Sequence, residues 1–158
     1  MLITVRSGIV FIRVNGPKDF KILDGSTIGA STYIGLVKLL TDYKYPEEAL
    51  RGAGSGDNST IDMSVGDIYG GSYSNIGLSS HIIASSFCKA RGKRKDELKR
   101  IRDCDISRSL LTIIAGNMLQ IGYMLATLEN LSNIILMGPY FDIPAFMQMA
   151  SVHLFLKE

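Results

Sequence analysis

Residues 20–40 read FKILDGSTIGASTYIGLVKLL, and three kinds of segment meet in them. Phe20 to Leu23 suits a strand that ends at Asp24-Gly25. Gly25-Ser26-Thr27-Ile28-Gly29-Ala30-Ser31-Thr32 is a loop of small and hydroxyl residues. Tyr33 to Leu40 is an apolar stretch that suits a helix. Strand, glycine-hydroxyl loop and helix is a geometry that offers backbone N–H groups and a helix N-terminus to an anion. A plain strand-to-helix turn has the same signature, so both readings stand on local grounds.

Upstream, Ile3, Val5, Ile9, Phe11 and Val14 alternate around Ser7-Gly8, and Asn15-Gly16-Pro17 is a turn signal. Two short strands precede the third. Downstream, Tyr45 to Leu50 reads as a helix start, with Pro46 near the first position and Glu47 and Glu48 in the first turn. Arg51 to Thr60 reads as a glycine-rich connection, Ile68 to Tyr73 as a second glycine loop, and Ile82 to Ala90 as a helix. A long helix is expected from about Ile106, then a strand at 133–137, a Gly138-Pro139 break, and a last helix at about 143–156. Strands lead and helices follow, so the fold class is α/β or α+β.

With 158 residues the chain fits one domain, and 46% hydrophobic against 20% charged residues excludes disorder. A net charge of +2 argues against a nucleic-acid binder. Two cysteines, Cys88 and Cys104, suit a reducing compartment, and no secretory signal is legible at the start. His81 and His153 sit singly among apolar neighbours and read as structural, so no metal site and no catalytic nucleophile is expected. The cytoplasm is the expected location.

Leu110 to Leu128 carries no charge over nineteen residues, close to a membrane span in length. Yet Leu111, Ile114, Met118, Ile121, Leu125 and Leu128 step by three and four, the seam of a buried or dimer-forming helix, so no span is expected. Lys89, Arg91, Lys93, Arg94, Lys95, Lys99, Arg100 and Arg102 concentrate the basic charge in one run. It is open as a polyanion patch or as a solvated loop. Gly52-Ala53-Gly54-Ser55-Gly56-Asp57 has neither the lysine of a P-loop nor the G-x-G-x-x-G spacing.

Asp67-Ile68-Tyr69-Gly70-Gly71-Ser72-Tyr73, then Gly77-Leu78 and Ala84-Ser85-Ser86-Phe87, resembles the middle of the eukaryotic-type (type II) pantothenate kinases. Ser7-Gly8, Gly25 to Gly29, Thr32 to Leu36, Leu39-Leu40-Thr41 and Glu47 to Leu50 keep the family's order upstream, as do Arg108, Asn117 and Ile134 to Gly138 downstream. The resemblance implies ATP-dependent phosphorylation of pantothenate, the first step of coenzyme A biosynthesis. It implies the actin/hexokinase-like fold of two ribonuclease-H-like lobes, of which residues 1–158 resemble the C-terminal lobe alone. The family's phosphate loop, lysine and glutamate base belong to the other lobe, so no catalytic residue is expected here, and these residues alone are expected to be inactive.

By the same resemblance, Ser7, Gly8, Tyr69, Tyr73, Ile83 and Ala84 would bind substrate or acyl-CoA. Gly29, Ser31, Thr32 and Gly138 would bind ATP, which enters with Mg. Pantothenate and ATP are the implied ligands, acyl-CoA a feedback ligand, and a homodimer or a heterodimer with a paralogue the implied assembly. Five departures accompany the match: Arg6 and Ala30-Ser31 replace glycines, Val10 replaces a serine, Ile22 an arginine and Pro139 an asparagine. Two functions stay open: a piece of a pantothenate kinase, or a non-catalytic kinase-like partner of an active paralogue. A globular lobe with no ligand is the bland alternative.

Overall fold

The computed structural model describes residues 1–72 and 79–138. Tyr73, Gly77-Leu78, Pro139, His153 and the expected helix at 143–156 lie outside the described residues. The architecture is mixed α/β. The chain divides into two compact units, Met1–Leu39 with the described residues from Leu110 onward, and Leu40–Ser109.

In the first unit, β1 (Leu2–Val5), β2 (Ile9–Gly16) and β3 (Asp19–Ser26) form an antiparallel meander. The helix α1 (Ala30–Leu40) follows. The strand β6 (Ile135–Met137) then returns parallel to β1, giving the order β3-β2-β1-β6. The alternation at 3, 5, 9 and 11 has its expected cause: Ile3, Val5, Ile9 and Phe11 are buried on one sheet face. That face is covered by the long helix α6 (Asp103–Leu128). A methyl group on Gly122 of α6 would lie 2.5 Å from Ile3 Cδ1 and 3.5 Å from the Phe11 ring. The helix stops where Asn130 turns left-handed (φ 54°), and Leu131 N–H reaches back to the Ala126 carbonyl at 2.8 Å.

By length and composition alone α6 is apolar enough to cross a membrane, but half of its most apolar stretch is buried inside the protein. Leu111, Ile114 and Met118 of the predicted seam are core residues, whereas Leu128 is 75% exposed. The upper half of the seam is therefore spent within the chain.

The opposite sheet face reads differently. Direct pairing aligns Ile22, Ile12, Leu2 and Ile135 in one row and Gly25, Val10, Thr4 and Met137 in the next. Paired residues share a face. Phe20, Ile22, Ile135 and Met137 on it are half or more exposed.

The second unit corrects four expectations. The stretch from Arg51 is not a connection at its start, because α2 (Pro46–Ser55) runs through Gly52. A side chain at Gly52 would collide with the Tyr43 hydroxyl, and one at Gly56 with the Cys104 carbonyl, so close packing explains these two glycines. The loop at 68–73 begins late: Ile68 and Tyr69 belong to α3 (Val65–Tyr69), and Gly70 ends it in the left-handed region (φ 74°). The segment 82–90 is not one helix. It holds β5 (Ile83–Ser85), paired with β4 (Met63–Ser64), then α4 (Cys88–Arg91). The basic run is no plain loop, since it includes α4 and α5 (Lys95–Leu98). Ala49, Leu50, Ala53, Ile61 and Val65 are this unit's apolar core.

Candidate functional site

Sheet topology brings two strand ends of the first unit together. β1 and β6 are parallel, with Thr4 opposite Met137, so both end at the same edge. Beyond β1 the chain turns through Arg6-Ser7-Gly8, and beyond β6 it reaches Gly138. The carboxyl ends of parallel strands are the usual place for ligands in α/β sheets.

α1 enters at that edge. Gly8 lies against β3, where a methyl group would sit 2.6 Å from the Ser26 carbonyl oxygen. Gly29 lies against Gly8, where a methyl group would sit 2.7 Å from the Gly8 Cα and from the Ser7 carbonyl oxygen. The approach is locked by two backbone bonds: Ala30 N–H donates to Arg6 O at 2.9 Å and Ser31 N–H to Ser7 O at 3.2 Å. An open groove of about 670 Å³ results, lined by Thr4, Arg6, Ser7, Gly8, Val10, Gly25, Ser26, Thr27 and Ser31, among others.

Ser7, Gly8 and Ser31, proposed from sequence as ligand contacts, thus share one groove. Gly29 supports its floor, and Gly138 ends a strand at the same sheet edge. Thr32 is engaged within the loop. Its hydroxyl donates to Thr27 O and accepts from Gly29 N–H, both at 3.2 Å. Ile28 N–H meets Ser26 Oγ at 3.1 Å. The amides of residues 28–31 all have partners inside the protein. What the groove offers an incoming ligand is therefore hydroxyls and the Arg6 guanidinium, not an open row of N–H groups.

In the second unit, Ile83 of β5 lines a polar cavity of about 350 Å³ with Asp57, Asp62, Asp67, His81 and Lys89. Ala84, the next residue of the strand, is exposed, as is Tyr69 at the end of α3. His81, read from the sequence as structural, is exposed and lines the cavity. Ser64 and Asp67 cap α3 reciprocally, with Ser64 N–H donating to the Asp67 carboxylate at 2.8 Å and Asp67 N–H to Ser64 Oγ at 3.1 Å. Lys89 reaches the same carboxylate at 2.7 Å. The Lys89 ammonium first, then the Ser64 donors, hold Asp67 down to about 2 from 3.8.

Sequence reading missed Asp62. It is buried, accepts Phe87 N–H at 2.8 Å and Asn58 Nδ2 at 2.7 Å, and takes a further bond from the Ser109 hydroxyl. Phe87, the last residue of the A-S-S-F motif, sits at φ 59°, which is costly for a bulky side chain. The signal lay in Ile61-Asp62-Met63, a lone acid between apolar residues, which needs internal donors if it is buried. Among the described residues no group of three or more His, Cys, Asp or Glu is placed to hold a metal.

Comparison with known proteins meets this geometry. The sequence model of the Fumble family matches residues 1–154. Pantothenate kinase 2 of Arabidopsis thaliana is 48% identical over 139 residues, which is 87% of this chain and 15% of that protein. Pantothenate kinase of Schizosaccharomyces pombe is 42% identical over 142 residues, 89% of this chain and 35% of that protein. Pantothenate kinase 1 of Arabidopsis thaliana is 44% identical over 139 residues, covering 87% of this chain and 36% of that protein. The chain thus spans about a third or less of the curated relatives it matches. With that match and those identities, the chain belongs to the Fumble family, the pantothenate kinase family that its motifs resemble.

Proposed function

We propose that residues 1–158 are the C-terminal, ribonuclease-H-like lobe of a pantothenate kinase, and hold the nucleotide phosphates and the pantetheine moiety in the ATP-dependent phosphorylation of pantothenate. The observation that carries this reading is the closure of Gly29 on Gly8, which gathers Ser7, Gly8 and Ser31 in one groove. The meander, helix and parallel return strand are consistent with such a lobe. Ser7 and Ser31 donate to phosphate or pantetheine oxygens, Gly29 permits the close approach, and Thr32 holds the loop. Gly138 lies beneath the adenosine, and Tyr69, Tyr73, Ile83 and Ala84 wall the pantetheine arm, with acyl-CoA as a regulatory ligand. The groove lining contains no carboxylate, so it does not fit a resident magnesium; the ion enters as part of the MgATP substrate. The protein works in the cytoplasm as a homodimer or as a heterodimer with a paralogue.

Residues 1–158 by themselves do not turn pantothenate over. Phosphoryl transfer needs charge stabilisation and a positioned base on both sides of the nucleotide, and the family's base belongs to the other lobe. The test is calorimetric titration of MgATP and of acetyl-CoA. Binding weakened about tenfold by Ser7→Ala supports the reading, since a hydrogen bond to a charged oxygen is worth about that factor. Absence of binding by both ligands refutes it.

One observation favours the alternative, a non-catalytic partner of an active paralogue. Val10 and Ile22, which stand where the family has a serine and an arginine, fall on the open apolar face of the sheet. Turnover by a complex with an active paralogue, but none by any complex of two copies, would support that reading.

A further inference from the structure

The basic run from Lys89 to Arg102 holds eight cations against Asp96 and Glu97, a net of +6 on a chain whose total is +2. The rest of the protein therefore carries −4. Three of the eight cations are spent internally. Lys89 pairs with Asp67 at 2.7 Å, Arg94 with Asp96 and Glu97 at 3.4 Å, and Arg102 with the buried Asp105 at 2.7 Å. Arg91, Lys93, Lys95, Lys99 and Arg100 have no ion pair among the described residues. They are strung along α4, the bend at 92–94, α5 and the turn after it, and all but the half-buried Lys93 are exposed.

Arg94 pairs with both acids of the segment, which leaves one negative charge against the five remaining cations and a net of +4 on this surface. The segment from Cys88 to Arg102 contains no aromatic residue on which bases stack, and no Asn or Gln to read adenine. It does present Leu98, 38% exposed, among the cations. A solvated loop needs no such segregation of charge. A cluster of Lys and Arg with an apolar residue at its centre matches the surface of an anionic bilayer, where headgroup phosphates attract the cations and the interface accepts the leucine.

We propose that the surface from Arg91 to Arg100 docks the protein on an anionic membrane leaflet. It belongs to the second unit and shares no residue with the groove of the first.

The test is co-sedimentation of the full chain with vesicles of phosphatidylcholine carrying about a third phosphatidylserine, the class of anionic leaflet the cluster should recognise. Binding is expected at low ionic strength, is lost at about 0.5 M salt as screening shortens, and is absent with phosphatidylcholine alone. Each cation near the surface is worth about fivefold in affinity, so Lys95→Ser with Lys99→Ser weakens binding about thirtyfold. The pair Arg91→Ser with Arg100→Ser does the same, and decides the matter should the first pair unfold by circular dichroism. No binding to anionic vesicles, equal binding to neutral ones, or unchanged binding by both pairs overturns the proposal. So does tighter binding to a DNA duplex at equal phosphate concentration, which would make the surface a nucleic-acid face.

Discussion

Gly29 rests on Gly8 so closely that a methyl group on the first would lie 2.7 Å from the Cα of the second. The Gly8 carbonyl carbon and the Ser7 oxygen are as near, and all three atoms are backbone, so none can swing aside. The contact fixes where α1 meets the turn between β1 and β2, and with it the distance between Ser7 and Ser31.

Gly29→Ala is accordingly expected to destabilise the protein by about 1–3 kcal/mol, the usual cost of overpacking against atoms that cannot move. Gly35→Ala is the control. Gly35 sits inside α1 with nothing within 4 Å of a new methyl group. There alanine should stabilise by about 0.5–1 kcal/mol through helix propensity. Urea unfolding separates the two: midpoints move in opposite directions with unchanged slope.

Asp62→Ala should cost about 3 kcal/mol. It strands the Phe87 amide, the Ser109 hydroxyl and the Asn58 amide, each of which donates to its carboxylate. Asp19→Ala, on an exposed strand end, should change stability by less than about 0.5 kcal/mol. Thermal unfolding of the two variants side by side checks this, and equal midpoints would remove Asp62 from its role.

Acid should loosen the second unit first around α3. Asp67 titrates at about 2 in the folded protein against 3.8 ordinarily, so its folded-state value is depressed. Stability from such a group is fully present above 3.8 and is lost as the pH falls toward 2. Asp57, held low by the Ser59 N–H and hydroxyl, acts in the same direction. So does Asp105, where burial works upward but the Arg102 guanidinium and the Asp57 N–H more than offset it. Melting temperatures measured from pH 5 down to 2 should fall more steeply for wild type than for Asp67→Asn; parallel curves would contradict the assignment.

Ile22→Arg should tighten acetyl-CoA binding about tenfold to a hundredfold, because a guanidinium bond to a carbonyl or carboxylate is worth that much. Ile22 is 62% exposed on the edge strand, so an arginine there needs no repacking. Lys21 is no substitute, since neighbours in a strand point to opposite faces. Titration of both proteins decides it. Unchanged affinity with unchanged stability would mean that position 22 does not face the ligand.

The first unit was largely legible in the sequence because its information is local. Alternation at 3, 5, 9 and 11 and the turn at 15–17 fix three strands, while the loop expected at 25–32 shrinks to residues 27–29, because β3 runs through Ser26 and α1 starts at Ala30. The second unit was not, because its information is tertiary. Gly52 reads as a loop former until Tyr43 is seen to need its space. The apolar run at 82–90 reads as a helix until Ser64 pairs with Ile83 and Asp62 fixes Phe87 in a left-handed turn. Ser7, Gly8 and Ser31 were found by motif and meet in one groove, while Thr32 shows how a hydroxyl in a motif can serve the loop that carries it.

The pairing of β1 with β6 sets a timetable for synthesis. Leu2 finds its partner Ile135 only after roughly 130 further residues have been made. At ordinary ribosomal rates that is on the order of ten seconds, during which the β1 edge of the meander waits unpaired, as the β3 edge does. An open edge invites strands from other nascent chains. Messages cut short before the codon for Ile135 should therefore yield aggregates rather than smaller soluble proteins, and the newborn chain should be a client of the chaperones that shield exposed strands at the ribosome.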